Sequence, residues 1–428
     1  MKKLCFLVFF SVIIFFSIFV PPIECSDIAN VEWSHAFGGA KNEAAYSMTK
    51  TADGGYVLAG STTSFGAGLS DFWVVKTDSS GTMKWNRTYG GTEDDVASAI
   101  INVGDGFAIL GLSSSFGAGG FDYWLFRVDS DGNMLWNKTY GGAADDFGTS
   151  VIQTSDGGYA LTGWTNSFGS GGEDIWLVKT DVYGNIVWNN TYGSNYNDEG
   201  HGLVQTGDGG YIIAGDTALA SGNEDAWLLK VDSKGNMLWN RTFGGFALDT
   251  FLSIAQLSDS SFALSGYTAS YGSGSNDAWL IKTDSKGTLQ WNKTYGGPND
   301  DQAYALINAE DGGFVLGGQA TVNTQKNYWL EKTDSSGNMQ WNIKNNATMN
   351  NFAYSLVQAK DNGYVLSGTA NTKDNGEDFL IVKVKAASDT SGLSATEIIG
   401  LVALVAALLI AVIFLVKRKS WQGKREQV

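Results

Sequence analysis

Phe147-Gly-Thr-Ser-Val-Ile-Gln-Thr154, Gly158-Tyr-Ala-Leu-Thr-Gly-Trp-Thr165, Asp174-Ile-Trp-Leu-Val-Lys-Thr180 and Asn185-Ile-Val-Trp-Asn-Asn-Thr-Tyr192 follow one another along the chain. Each run is short and rich in β-branched and aromatic residues, which is the composition of a β-strand. The gaps between them carry turn chemistry: Asp156-Gly157-Gly158, then Ser167-Phe-Gly-Ser-Gly-Gly172, then Asp181-Val-Tyr-Gly184. Gaps this short join antiparallel neighbours, so the unit reads as a four-stranded meander.

The unit recurs. Trp33, Trp85, Trp136, Trp188, Trp239, Trp291 and Trp341 are spaced by 52, 51, 52, 51, 52 and 50 residues. A second series, Trp73, Trp124, Trp176, Trp227, Trp279 and Trp329, becomes Leu380 in the last unit. Of 15 tryptophans, 13 fall in these two series, so they are read as packing residues, leaving Trp164 and Trp421 outside the pattern. Seven repeats of a four-stranded sheet predict an all-β, seven-bladed β-propeller of antiparallel blades. In the first strand of each unit, Ala45, Ala97, Gly148, Gly200, Phe251, Ala303 and Ala353 are followed two residues later by Ser47, Ala99, Ser150, Gly202, Ser253, Ala305 and Ser355. Nearly all are small, as innermost strands converging on one axis require. The chain opens with a lone fourth-strand segment, Val31 to Phe37, and the last unit stops after its third strand, Asp378 to Val384. The N-terminal strand is therefore expected to complete the last blade and close the ring, which removes open sheet edges.

The two ends read differently. Lys2 and Lys3 precede an apolar run from Leu4 to Val20, and Pro21-Pro22 break it, so residues 1–25 are expected to be a signal peptide. Residues 26–385 form the ectodomain and 386–397 a linker. Residues 398–416 contain no charge and are long enough to cross a bilayer as one helix of about 1.5 Å per residue. The tail 417–428 begins Lys417-Arg418-Lys419, which places it in the cytoplasm and the propeller on the extracellular side of the cell membrane, as a single-pass protein. Cys5 and Cys25 are the two cysteines, so no disulfide framework is expected. Residues 26–416 hold 21 cations against 42 anions. Such a domain repels nucleic acid and attracts cations or basic partners.

Asp232-Ser-Lys-Gly-Asn-Met-Leu-Trp-Asn-Arg-Thr-Phe-Gly-Gly245 and Asp156-Gly-Gly-Tyr-Ala-Leu-Thr-Gly163 resemble the bacterial and archaeal surface β-propeller repeat (SBBP-like) family, over roughly residues 31–384. The Asp-x-x-Gly-Asn-x-x-Trp turn is also similar, more weakly, to the tryptophan-docking repeats of quinoprotein dehydrogenases and of their cofactor-free relatives that act as outer-membrane assembly scaffolds. Those families usually have eight blades, and many of the dehydrogenases carry an adjacent cysteine pair that this chain lacks.

Two acid series recur. Glu43, Asp95, Asp146, Asp198, Asp249 and Asp301 precede the innermost strands, and Asp71, Asp122, Asp174, Asp225, Asp277 and Asp378 precede the third strands. Both fall on one face of a meander. They read either as a mouth for a cation, calcium included, or a cationic ligand, or as repeated turn caps. Asp129-Ser-Asp-Gly-Asn133 reads as a hairpin turn in preference to a calcium loop. His35 and His201 are the two histidines; neither has a triad or metal-ligand neighbour along the sequence, so no catalytic role is expected of either. Asn-x-Thr sequons at Asn86, Asn137, Asn189, Asn240 and Asn292, with a sixth at Asn346, are candidate N-glycosylation sites on exposed strands.

The whole reads as a monomeric, cofactor-free propeller that is no enzyme, a membrane-anchored surface binding or adhesion protein presenting its mouth to an extracellular glycan, protein or envelope component. A non-catalytic envelope-assembly scaffold is the alternative, and a propeller enzyme of quinoprotein type comes third.

Overall fold

The computed structural model describes residues 31–345, 349–372 and 376–385. The expected signal peptide, linker, spanning segment and tail, and Asn346, lie outside the described residues. Among the described residues no helix is long and apolar enough to cross a membrane. The regular structure is 28 strands in seven four-stranded sheets. Six sheets are sequence-ordered antiparallel meanders: residues 43–89, 95–140, 146–192, 198–243, 249–295 and 301–344, here blades 1 to 6. In the unit quoted above the strands run Asp146–Gln153, Tyr159–Thr165, Asp174–Thr180 and Ile186–Tyr192, within one residue of the runs read from the sequence.

Blade 7 closes the ring. Its first three strands are Asn351–Gln358, Tyr364–Thr372 and Gly376–Val384, and its fourth is Val31–Phe37, paired antiparallel with Trp33 opposite Lys383 and Phe37 opposite Phe379. Glu32 adds an ion pair to Lys383 at 2.7 Å.

The apolar core lies between blades. Alternate residues of each strand face the neighbouring sheet, so Val57, Phe72 and Val74 of blade 1 pack on Ile100, Ile109, Trp124 and Phe126 of blade 2. Each third-strand tryptophan is buried there, while the fourth-strand series docks the next blade from outside. A Cβ on Gly81, at φ +79°, would sit 2.6 Å from the Trp33 ring, so only glycine allows that turn to lie on the indole. Tyr89, Tyr140, Tyr192 and Tyr295 complete the docking by donating to the carbonyls of Gly132, Gly184, Gly235 and Gly337 at 2.6 to 2.8 Å.

Candidate functional site

The two acid series lie together on one face, and there they hold loops. Glu43, Asp95, Asp146, Asp198, Asp249 and Asp301 are at most 2% exposed. Each accepts the backbone N–H four residues before it, at 2.7 to 2.9 Å. Second-strand threonines add hydroxyl bonds to Glu43, Asp146, Asp198 and Asp249. In the other series Asp71, Asp122, Asp174 and Asp277 accept amides of the Gly-rich loop before them. The side chain of Asn223 donates to Asp225. Carboxylates of adjacent blades meet around the connecting glycines; a Cβ at Gly90 would fall on Asp71 and Asp95, and one at Gly38 on Asp378 and Glu43. Burial, then the neighbouring carboxylate, raises Asp122, Asp174, Asp225 and Asp378 above the ordinary carboxyl range.

Just inside these loops the repeat breaks down. Every innermost strand carries a β-bulge at the same place, and the bulge leaves Tyr46, Ser98, Thr149, His201, Leu252, Tyr304 and Tyr354 outside the ladder. A bulge re-aims a side chain, here toward the inner edge where neighbouring blades meet. Tyr354 contacts both Tyr46 and Tyr304, with ring centroids 5.4 and 5.2 Å apart. Thr149 donates to the Gly200 carbonyl of the next blade at 2.7 Å. The small residues flanking each bulge, read from the sequence as axial, serve the approach of one innermost strand to the next: Ser47 Oγ accepts from Ile100 N–H, and Ser355 Oγ from Met48 N–H.

A second variable layer lies nearer the mouth, where a first-strand residue faces a second-strand one. Blade by blade the pairs are Ala44 and Ser61, Val96 and Leu112, Phe147 and Trp164, Glu199 and Asp216, Thr250 and Tyr267, Gln302 and Gln319, and Phe352 and Thr369. Phe147 and Trp164 stack with ring planes 14° apart, and Trp164 meets the His201 ring edge-on at 5.9 Å. His201 Nε2 lies 3.0 Å from Asp216 Oδ1 and 3.8 Å from Glu199 Oε2. Thr250 Oγ1 donates to the same Asp216 oxygen at 2.5 Å. Gln302 Oε1 receives the Tyr304 hydroxyl and the Gln319 amide at 2.5 and 2.9 Å.

Negative charge dominates this sector. Burial, with Asp216 and Glu173 adding to it and His201 opposing, pushes the Glu199 carboxyl up to about 8. Burial alone would lower His201, but the hydrogen bond and charge of Asp216, and then Glu199, carry it above its ordinary value. Tyr267 is pushed up to about 12 by burial and by Asp216, Glu224, Glu199 and Asp300. An imidazole between two carboxylates, beside a stacked aromatic wall, can hold a cation, exchange a proton, or grip a polar ligand with a flat apolar face.

The expectation that His201 has no metal-ligand neighbour is corrected here. Glu199 is two residues from His201 in the same strand, and Asp216 stands opposite Glu199 in the ladder, so it is the cross-strand pairing that brings the third donor to the other two. A signal was available in the repeat alignment, where Glu199, His201, Asp216 and Trp164 each stand alone among their equivalents. His35 is remote from them in the closing strand, its Nε2 3.0 Å from the Ser80 carbonyl. The five sequon asparagines among the described residues are exposed on outer strands, and Asn86, Asn137 and Asn189 accept the indole N–H of Trp73, Trp124 and Trp176. The Asp129 turn is a hairpin, its Oδ1 capping the amides of Asp131 and Asn133.

No family model matches the chain. It is 32% identical over 112 residues to the regulatory protein FlaEY of Caulobacter vibrioides, a stretch that covers 23% of this chain and 12% of that protein. The chain thus spans about an eighth of the length of that relative. Among solved structures, Sqt1 of Chaetomium thermophilum superposes with a TM-score of 0.50 at 13% identity, over 83% of this chain and 98% of that one. A protein of unknown function from Dyadobacter fermentans gives 0.46 at 13% identity, over 83% and 99%. At this identity the likeness to Sqt1 is one of fold alone.

Proposed function

We propose that this chain is a membrane-anchored cell-surface binding protein whose propeller offers the mouth ringed by its acid-held loops to an extracellular glycan, protein or envelope component, with a glycan the best-fitting class. One observation carries this reading: side-chain variety is concentrated in these two layers of the innermost strands, while the interblade core and the outer strands largely repeat from blade to blade. Repetition serves the fold, and departures from it at one concave place serve a ligand. The stacked Phe147 and Trp164 provide a flat apolar platform, and His201 beside it, with Glu199 and Asp216, provides the polar contacts that a sugar ring needs at its edge. The uncharged run at 398–416 and the basic residues after it support anchoring. Double acylation or a second anchor is not needed for a helix of that length.

The test is binding of the purified full-length chain to an array of surface polysaccharides and to glycans from native envelopes. Specific binding is expected, with a loss of at least tenfold in Trp164→Ala and none in Leu135→Ser on the outer rim. Absence of binding, or equal loss in both variants, would overturn the reading.

A further inference from the structure

We infer that Glu199, His201 and Asp216 form a binding site for one divalent transition-metal ion of the zinc type. The donor atoms, one from each side chain, all lie within 4.8 Å of one another. Bonds of about 2.0–2.2 Å in a tetrahedral arrangement put donors roughly 3.3–3.6 Å apart. The distances of 3.0 Å from Nε2 to Asp216 and 3.8 Å from Nε2 to Glu199 bracket that spacing, so small side-chain shifts suffice. An imidazole with two carboxylates suits zinc and its neighbours, whereas calcium takes six to eight oxygens and has no use for the nitrogen.

The charge pattern points to a cation independently of the distances. Glu199 and Asp216 stand directly opposite each other in the ladder, and like charges in that position are destabilising. The six equivalent pairs in the other blades carry no charge at all. His201 supplies at most one positive charge to the two carboxylates, and Glu173 and Glu224 lie close enough to act on the same sector. A divalent ion, binding in place of the carboxyl proton, balances the pair. The site is also built for rigidity: Thr250 of the next blade holds the Asp216 carboxylate, the outer-shell bond that orients a ligand. The bulge re-aims the His201 imidazole, and Glu199, whose side chain is 29% exposed, leaves a side of the ion open to solvent. The ion would therefore keep a position for water or for a donor atom of a bound ligand.

The test uses the untagged full-length chain, stripped with a chelator and titrated with zinc alone by calorimetry, with bound metal counted by mass spectrometry. One zinc per chain is expected, in preference to calcium and magnesium, with affinity at least tenfold weaker in His201→Gln and in Asp216→Asn. The wild-type protein gives a readout that no variant's folding can confuse. With two histidines in the chain, diethyl pyrocarbonate modification should be slowed by zinc at His201 and unchanged at His35. No saturable zinc uptake, uptake equal in wild type and both variants, preference for calcium, or equal protection of the two histidines would each overturn the inference. Zinc uptake is scored without ligand and glycan capture after chelation, so either proposal can fail without the other.

Discussion

At the residue scale, Glu331 shows what one departure from the repeat costs. Its equivalents in the other blades are Val75, Phe126, Val178, Leu229, Ile281 and Val382, all apolar core residues. Glu331 is 2% exposed in the same environment, and its Oε1 has no hydrogen-bond partner among the described residues. Burial, opposed by Lys344, pushes its carboxyl up to about 8. A carboxyl raised in the folded state favours folding fully below its unfolded value near 4.5, and that contribution is lost as pH rises through the folded value. Glu331→Leu should therefore stabilise the protein by about 1–3 kcal/mol, with the gain larger at pH 9 than at pH 5. Chemical unfolding at the two pH values checks it; an equal or negative change would mean that the carboxyl has a partner worth keeping. The substitution itself is legible in the sequence, where Leu330-Glu331-Lys332 breaks an otherwise apolar column. Its burial follows only from knowing that the column faces the next blade.

Elements show where reading from sequence stops. Strand order, strand boundaries and the closing role of Val31–Phe37 follow from period-2 patterning and turn chemistry, both local signals. The innermost strands do not. A bulge inserts one residue and reverses the facing of everything beyond it, so the alternation that puts Ala97 and Ala303 on one side cannot say where Tyr304 or His201 points. The small residues advertise crowding between adjacent strands, and the bulge residues that occupy the axis are as large as tyrosine. The closing strand tests the part that was legible. Removing Val31–Phe37 takes away a ladder, the Trp33 ring under the Gly81 turn and the Glu32 partner of Lys383, and it uncovers Phe379 and Ile381. A loss of several kcal/mol would move Tm by roughly 4–8 °C in a domain of this size. Calorimetry of the truncated chain should show that fall; a melt within a degree or two of the intact protein would refute closure by this strand.

Across the whole molecule, two groups of acids on opposite faces of the propeller are pushed in opposite directions, with Asp300, hydrogen-bonded to Lys326, an exception on the loop face. On the face of the Gly-rich loops, burial and then like charge raise Asp122, Asp174, Asp225 and Asp378, and Glu199 joins them at the axis. On the other face, Asp53, Asp156 and Asp208 are held down at about 2, first by the hydroxyls of Thr51, Thr154 and Thr206, and with help from Lys84, Lys179 and Lys230. The depressed group contributes stability above the unfolded value of 3.8 that is lost as pH falls toward 2. Because these three are well exposed, solvent and salt shrink their share. The raised group works the other way, contributing below its unfolded values and losing that contribution as pH climbs through the folded ones. A net charge of −16 adds self-repulsion on the alkaline side. Stability should therefore peak in mildly acidic solution. Tm is expected to fall from pH 5 to pH 9 in metal-free buffer, with part of the loss recovered by added salt through screening of the exposed charges. It should also fall steeply below pH 4. A Tm that stays level or rises between pH 5 and 9 would show that the buried carboxylates of the loop face are paid for by partners other than the amides and hydroxyls they touch.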